Sequence, residues 1–564
     1  MYRNKTKTRL FVMLLLLSVC LTGLLVSGEA DSAASISGTG TSQMNIYAMY
    51  LNTDVKGESV LLESGGEYLL MDLGTADSVP AIIDHLKRCG ATKIRVYISH
   101  IHADHYGGYS SNSDGNGRAI TGLKMLADAG FTITTLYLPD DSIAPESTRF
   151  QTKESLFEEY VSETLGGETV RLKTGSKFTF GDANVEILGP ITSMHTPRTA
   201  YAGTENEENF YENDQSLAAM ITCGKTKYFT AGDCWEHEAE SLIATYGEGL
   251  RADIMKLNHH GTTTGNSDEL LAAVRPRYAF ASNCGLTGIN PETGKWYTTP
   301  SVKKANKYGV VYLAGTEKRT LVYHVENGDV KMYYESVADE NLLRGELWLY
   351  GAEGTVREKD CYLLDENGHP LTGIRKYKGH DLYLGDSGCM QYGVYDEKGK
   401  YSHWKFYGDD LRYFRLDKNE TYADCMVGIK KLTDYDNSIR YFGDDGILRK
   451  AKGEREFLKV GGKTYCMRSS GTFVCGSRVN YKGADYYFGG DGAMAKNKIV
   501  KLNSWYYYFG KNGKMVKAKG STPKIVKIGR FYYAFRSSGT MVRGAGFTVN
   551  GHRYYFDNNG RMRR

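Results

Sequence analysis

Hydrophobic and polar positions change their rhythm along the chain. Near the start, Arg3, Lys5, Lys7 and Arg9 precede an unbroken apolar run from Leu10 to Val26, and small residues follow from Gly28 to Ala34. Basic, then apolar, then small is the order of an export signal, cleaved in the small-residue stretch. Residues 1–30 are therefore read as a signal peptide. Residues 31–44, rich in Ser, Gly and Ala with no apolar period, are read as a linker, and ordered structure is expected from Asn45. From 45 to 335 strand and helix patterns alternate. Ile46 to Leu51, Ser59 to Glu63, Tyr68 to Asp72 and Ile94 to Ser99 read as strands. Ser78 to Cys89 reads as a helix, because Val79, Ile82, Ile83 and Leu86 recur at helical spacing. Further strands are predicted at Asn184–Leu188, Leu217–Thr222, Tyr228–Ala231, Ile254–Leu257, Tyr278–Ala281 and Val310–Leu313. Such alternation predicts a layered α/β domain with helices outside.

Beyond about Leu343 the pattern becomes repetitive. Aromatic blocks lead through polar residues to a glycine and then Met or Leu, as in Tyr486-Tyr487-Phe488-Gly489-Gly490-Asp491-Gly492-Ala493-Met494 and Tyr507-Tyr508-Phe509-Gly510-Lys511-Asn512-Gly513-Lys514-Met515. Gly446, Gly471, Gly492, Gly513, Gly539 and Gly560 are spaced by 25, 21, 21, 26 and 21 residues. A period near twenty with a polar Gly turn predicts a stack of β-hairpins over 345–564. Each hairpin buries its aromatic face only against the next, which accounts for much of the excess of 43 Tyr.

Composition adds bounds. The 564 residues suffice for several cores. The net charge of +4 neither favours nor excludes a polyanionic partner. Ten Cys without regular spacing are not a disulfide scaffold and read as free thiols. With no second apolar span, the mature protein is expected outside the cell or held at its surface.

The chemistry gathers at apolar-strand ends. His100, His102, Asp104 and His105 follow Ile94–Ile98 within six residues. On an extended strand end His100 and His102 share a face. Asp104 and His105 then fall in a turn tightened by Gly107 and Gly108. The set offers two ligand pairs for two neighbouring cations, of zinc type with manganese or iron left open. Gly232-Asp233 ends the run Tyr228–Ala231, and His259-His260-Gly261 ends Asp253–Leu257. Asn213, Asp214 and Ser216 form a polar cluster entering another strand.

Together these motifs resemble the metallo-β-lactamase fold hydrolases over residues 45–335. Asn213-x-x-Ser216-Leu217 and Lys256-Leu257-Asn258-His259-His260 resemble the branch holding the exported domain of DNA-uptake competence proteins and the teichoic-acid phosphorylcholine esterases. The resemblance implies an αββα sandwich followed by the hairpin solenoid. It puts His100 and His102 on one divalent metal, Zn2+ by the donor type above, and Asp104 and His105 on a second, with Asp233 bridging. One of His259 and His260 would complete the second site and the other contact substrate oxygen. Asp104, Asp233 and His260 would be the catalytic groups, and Asn213 a first-metal or substrate contact. A third first-metal His has no nearby candidate; His195 is a distant one. The reaction implied is hydrolysis of a phosphodiester on a cell-wall or extracellular polymer. A competence-type extracellular nuclease and a wall-binding adhesin with an inactive hydrolase domain are the alternatives. The repeats resemble choline- and glucan-binding families, implying a tether to teichoic acid or glycan. Choline sites lean on Trp, and this array holds only Trp348, Trp404 and Trp505.

Overall fold

The computed structural model describes residues 41–52, 57–108, 120–140, 148–191, 207–282, 299–350, 359–391, 394–395, 401–402, 404–407, 410–416, 423–433 and 436–563. The signal peptide, most of the linker and His195 lie outside the described residues. Among the described residues no helix is long and apolar enough to cross a membrane.

β-strands dominate, with few helices. The first eight-stranded sheet contains β1 (Gln43–Ala48), β2 (Val60–Ser64), β3 (Glu67–Met71), β4 (Lys93–Tyr97), β5 (Thr132–Pro139) and β6 (Glu168–Leu172). The second, seven-stranded, contains β7 (Lys177–Phe180), β8 (Ala183–Gly189), β9 (Ala218–Cys223), β10 (Thr226–Thr230), β11 (Ile254–Lys256), β12 (Tyr278–Ala281) and β13 (Val310–Leu313). The chain then returns to the first sheet with β14 (Leu321–Glu326) and β15 (Asp329–Tyr334). The strand orders are β15-β14-β1-β2-β3-β4-β5-β6 and β13-β12-β11-β10-β9-β8-β7.

Alternation along these strands explains the stacking. Ile46, Leu62, Leu69 and Tyr97 of the first sheet share one apolar cluster with Val185, Ile221, Tyr228 and Phe280 of the second. The opposite faces bury against helices. Leu61, Leu70 and Val96 meet Val79, Ile82 and Leu86 of α1 (Val79–Arg88), the helix whose spacing was legible, and Leu123 and Leu126 of α2 (Thr121–Asp128). After α3 (Thr148–Glu159) and α4 (Glu207–Asp214), Ala239 and Leu242 of α5 (Glu236–Tyr246) cover Phe229 and Met255, as do Leu270, Leu271 and Val274 of α6 (Asp268–Val274).

Two local expectations change. β1 starts at Gln43, inside the stretch read as linker, because Met44 and Ile46 are needed in the inter-sheet core. β4 stops at Tyr97, so His100 and His102 are not on an extended strand end: residues 99–101 bend and 103–107 turn. The peptide N–H groups of His105 and Tyr106 both bond to the His102 carbonyl, at 2.9 and 3.1 Å, closing that turn.

The repeats form a series of small antiparallel hairpins. The first, β16 (Gly345–Tyr350) with β17 (Lys359–Leu364), is packed into the inter-sheet cluster through Leu347, Leu349, Tyr362 and Leu364. Asn306 on the sheet unit bonds to Asp360 at 2.8 Å and receives the Tyr362 hydroxyl at 2.5 Å. Further along, Gly513 sits at φ +77, the left-handed conformation that the polar turn requires. A Cβ there would lie 2.2 Å from Met494 Sδ, so the methionine of one repeat covers the glycine of the next. The recurring Gly-x-Met spacing is that contact. The eight cysteines among the described residues are free thiols.

Candidate metal centre

The chemistry-bearing residues emerge from one edge of the two sheets. Glu58 precedes β2, Asp72 follows β3, the His100–His105 loop follows β4, Asp233 follows β10 and His259-His260 follow β11. Glu58, His105, Asp233 and His260 are all buried and offer ligand atoms within 4.8 Å of one another. His105 Nε2 lies 3.2 Å from Asp233 Oδ2, and His260 Nε2 lies 3.2 Å from Asp104 Oδ2 and 3.3 Å from Asp233 Oδ2. Asp104, His105, Asp233 and His260 therefore converge from three separate stretches of chain.

His100 and His102 form the adjoining pair, with His100 Nε2 and His102 Nδ1 2.9 Å apart and ring centroids 4.7 Å apart. His100 and His105 rings are 4.2 Å apart, which joins the pair to the cluster. Of the two adjacent histidines, His260 enters the cluster. His259 Nε2 stays 3.8 Å from Asp233, and its Nδ1 accepts the Trp235 indole N–H at 3.0 Å. Both take positive φ, 46° and 51°, followed by Gly261 at 77°, so the backbone coils back to aim the rings at Asp233. Asn213 is buried at the end of α4, and its Oδ1 has no hydrogen-bond partner among the described residues. The structure does not join it to the four-residue cluster. Its neighbour Glu212 accepts the Ile101 N–H, tying α4 to the histidine loop.

Sequence reasoning missed a supporting ring. Asp72 accepts the Ser99 N–H at 2.7 Å, the Ser99 hydroxyl at 2.8 Å and His105 Nδ1 at 2.9 Å. That contact puts the His105 proton on Nδ1 and turns Nε2 toward Asp233, a common support for ligating histidine. A carboxylate at the tip of an apolar strand was the available signal, the same one that singled out Asp233. Glu58 lies 3.7 Å from His260 Nδ1 and pairs with the Lys256 ammonium, which also donates to the Gly232 carbonyl at 3.0 Å. No local pattern marks Glu58. Gly232 is needed where it stands: φ is +50° and a Cβ would lie 2.8 Å from Ser99 Oγ. Asp214 receives the N–H groups of Trp235 and Glu238 at 3.0 and 3.3 Å, anchoring the start of α5 directly after Asp233.

The electrostatics follow from four carboxylates, Glu58, Asp72, Asp104 and Asp233, beside Lys256 and the imidazoles. Burial would raise the Asp104 and Asp233 carboxyls, but His260 and His105 outweigh it and hold both well below the usual range. Burial would lower His105 and His260, yet the carboxylates, Asp233 foremost, raise His105 well above its ordinary value and push His260 up to about 9. Burial lowers His100 and takes His102 down to about 4, so both are neutral at pH 7, the form that ligates metal. Burial raises Glu58 against the pull of Lys256.

The donor set fits a divalent cation. Asp233 Oδ1 is buried with no hydrogen-bond partner among the described residues, while His105 Nε2 and His260 Nε2 face carboxylates without hydrogen-bond alignment. Excess buried carboxylate is balanced by protons on imidazole, the positions a cation takes over.

Comparison with known proteins bears on the two parts unequally. Residues 474–519 match the choline-binding repeat family. Competence protein ComA of Neisseria gonorrhoeae is 23% identical over 230 residues, 40% of this chain and 26% of that protein. Glucosyltransferase-S of Streptococcus mutans serotype c is 28% identical over 151 residues, 26% of this chain and 9% of that protein. The chain thus spans about a quarter of the first relative and under a tenth of the second. Among solved structures, choline binding protein F from Streptococcus pneumoniae overlaps 43% of this chain and 90% of its own, at 18% identity and a TM-score of 0.29. That overlap is too low to carry an argument. The C-terminal array contains a choline-binding repeat, and its hairpins Ser477–Tyr481 with Ala484–Phe488 and Lys498–Leu502 with Trp505–Phe509 lie within the matched span.

Proposed function

We propose that this chain is an exported metal-dependent hydrolase of the metallo-β-lactamase fold, a phosphodiesterase acting on a cell-wall or extracellular polymer. Its C-terminal repeats hold it at the cell surface near that polymer. The observation that carries the reading is the buried cluster of Glu58, His105, Asp233 and His260, which Asp104 joins through His260 Nε2, beside His100 and His102. Sheets stacked face to face with helices outside support the αββα assignment.

Asp104, His105, Asp233 and His260 would hold one divalent cation, zinc by donor type, and His100 and His102 would contribute to a second. When bound, such a pair supplies Lewis acidity and lets water act as a nucleophile near neutral pH. Asp72 keeps the His105 proton on Nδ1. Glu58 faces His260 Nδ1, so Nε2 is presented to the carboxylates. Trp235 and the Thr262 hydroxyl, 3.0 Å from His259 Nδ1, fix His259 with Nε2 toward Asp233, where it can meet a substrate oxygen. Asp104, one-quarter exposed at its side chain, is the carboxylate open to an entering ester. A tether raises the local concentration of polymer at the site without any new catalytic contact.

The test is turnover of bis-(p-nitrophenyl) phosphate and p-nitrophenyl phosphorylcholine by purified protein with zinc or manganese, beside metal analysis. Wild-type protein turns over at least one ester and Asp233→Asn does not. Absence of bound metal and of turnover would leave an adhesin. The ComA similarity favours a second reading, an extracellular nuclease; DNA degraded faster than either ester would establish it.

A further inference from the structure

The small net charge of the chain conceals a strong polarity. Residues 449–564 carry 25 Lys and Arg against 5 Asp and Glu, a net +20, whereas residues 42–335 carry 26 against 38, a net −12. From 492 to the last residue, Asp557 is the one acid among 16 basic residues. Every described Lys and Arg from 496 to 563 is exposed. Among the described residues of that stretch the ion pair formed is Lys517 with Asp485, at 2.6 Å. Lys498 and Lys501 in Lys-Ile-Val-Lys-Leu recur as Lys524 and Lys527 in Lys-Ile-Val-Lys-Ile, at matching places in successive hairpins. Such a field attracts a polyanion and repels a free cation.

The aromatic faces point the same way. A quaternary ammonium binds by lying over an open ring. Here the chain's own cations lie over several of them, while Trp505 stays 54% exposed: Arg543 is 4.4 Å from the Tyr506 centroid and Arg561 4.3 Å from Phe531. Arg553 lies 5.2 Å from Tyr555 and Lys527 5.9 Å from Tyr532. Sugar rings and nucleobases need the same bare faces. A phosphate needs only the ammonium and guanidinium groups.

We infer that the terminal hairpins, residues 477–563, bind the phosphate groups of a polyol-phosphate polymer through their Lys and Arg side chains, and not choline. The inference rests on the proposed tether, whose partner it specifies, and is independent of the metal centre. The acidic catalytic unit repels the same polymer at long range, so the basic hairpins supply the encounter.

The experiment titrates full-length protein into fluorescently labelled, choline-free poly(glycerol phosphate) and follows anisotropy at several salt concentrations. Expected are binding that weakens steeply with salt and no release by excess choline. K498E/K501E/K524E/K527E should bind about tenfold or more weakly, as expected from losing several phosphate contacts. Circular dichroism melts check its fold, and the Lys→Gln counterpart should fall between the two. Sedimentation with isolated cell walls separates the failures. Protein that sediments and is released by choline overturns the phosphate assignment and leaves the tether standing; protein that never sediments overturns both. Tighter binding to single-stranded or duplex DNA than to the polymer also overturns it.

Discussion

Replacing Lys256 by methionine should destabilise the protein strongly, and the structure says why. Lys256 and Glu58 are 2% and 0% exposed, and the ammonium meets the carboxylate in the interior. Lys256→Met removes the cation that opposes the burial of Glu58, so the carboxyl must either stay charged in the interior or take up a proton. It also deprives the Gly232 carbonyl of its donor. Breaking a buried pair from one side costs about 3–5 kcal/mol, and the lost bond to the carbonyl adds about 1 kcal/mol. Glu58→Leu should cost a similar amount by stranding the ammonium. The double variant, Lys256→Met with Glu58→Leu, removes both charges and should return to within about 2 kcal/mol of the parent, since apolar replacement of a buried pair is often near neutral. Guanidinium unfolding followed by tryptophan fluorescence, in EDTA so that metal does not contribute, measures all four proteins. A Lys256→Met variant within about 1 kcal/mol of the parent, a threshold set by ordinary substitutions, would refute the reasoning. So would single losses that simply add in the double variant.

Zinc added to EDTA-treated protein at pH 7 should release protons, because His105 and His260 are held protonated by their carboxylates until a cation displaces them. Calorimetry in two buffers of different ionisation heat reads this, and zinc binding without proton release would count against the site. His85, buried and beside Arg88, is lowered to about 4. Its folded value lies below its unfolded one, so its contribution is full above pH 6.5 and disappears as pH falls toward 4, about 3 kcal/mol in all. His85→Gln should flatten that part of the stability profile; an unchanged slope would clear His85. Gly513→Ala should cost about 1–2 kcal/mol from the positive φ alone, with more from contact with Met494, and an unchanged melt of the repeats would contradict the turn assignment. Deleting 345–563 should destabilise the sheet unit, since Leu347, Leu349, Tyr362 and Leu364 leave its core; an equal melting temperature would show that the first hairpin is dispensable.

Much of the candidate site was legible because its signals are local. Four chemistry-bearing residues within six positions, and polar residues at the tips of apolar strands, announce themselves in any reading frame. The geometry was less so. The histidine pair was expected on a strand end, yet β4 stops at Tyr97 because Ser99 bonds to Asp72 and bends the chain. The choice between His259 and His260 turns on two consecutive left-handed residues, which no periodicity foretells. Glu58 and Lys256 are nearly two hundred positions apart and each looks like an ordinary surface charge until the sheets stack.

The one-dimensional chain settled what depends on spacing: strand and helix periods, the twenty-residue rhythm of the hairpins with their left-handed glycines, and which side chains are the candidates for chemistry. These follow from backbone sterics and side-chain alternation within a few residues. Tertiary structure decided which of those side chains meet, what supports them and where charge accumulates. Burial distances, and with them the energies of carboxylates and imidazoles, exist only once two sheets fed from distant segments close on a common edge.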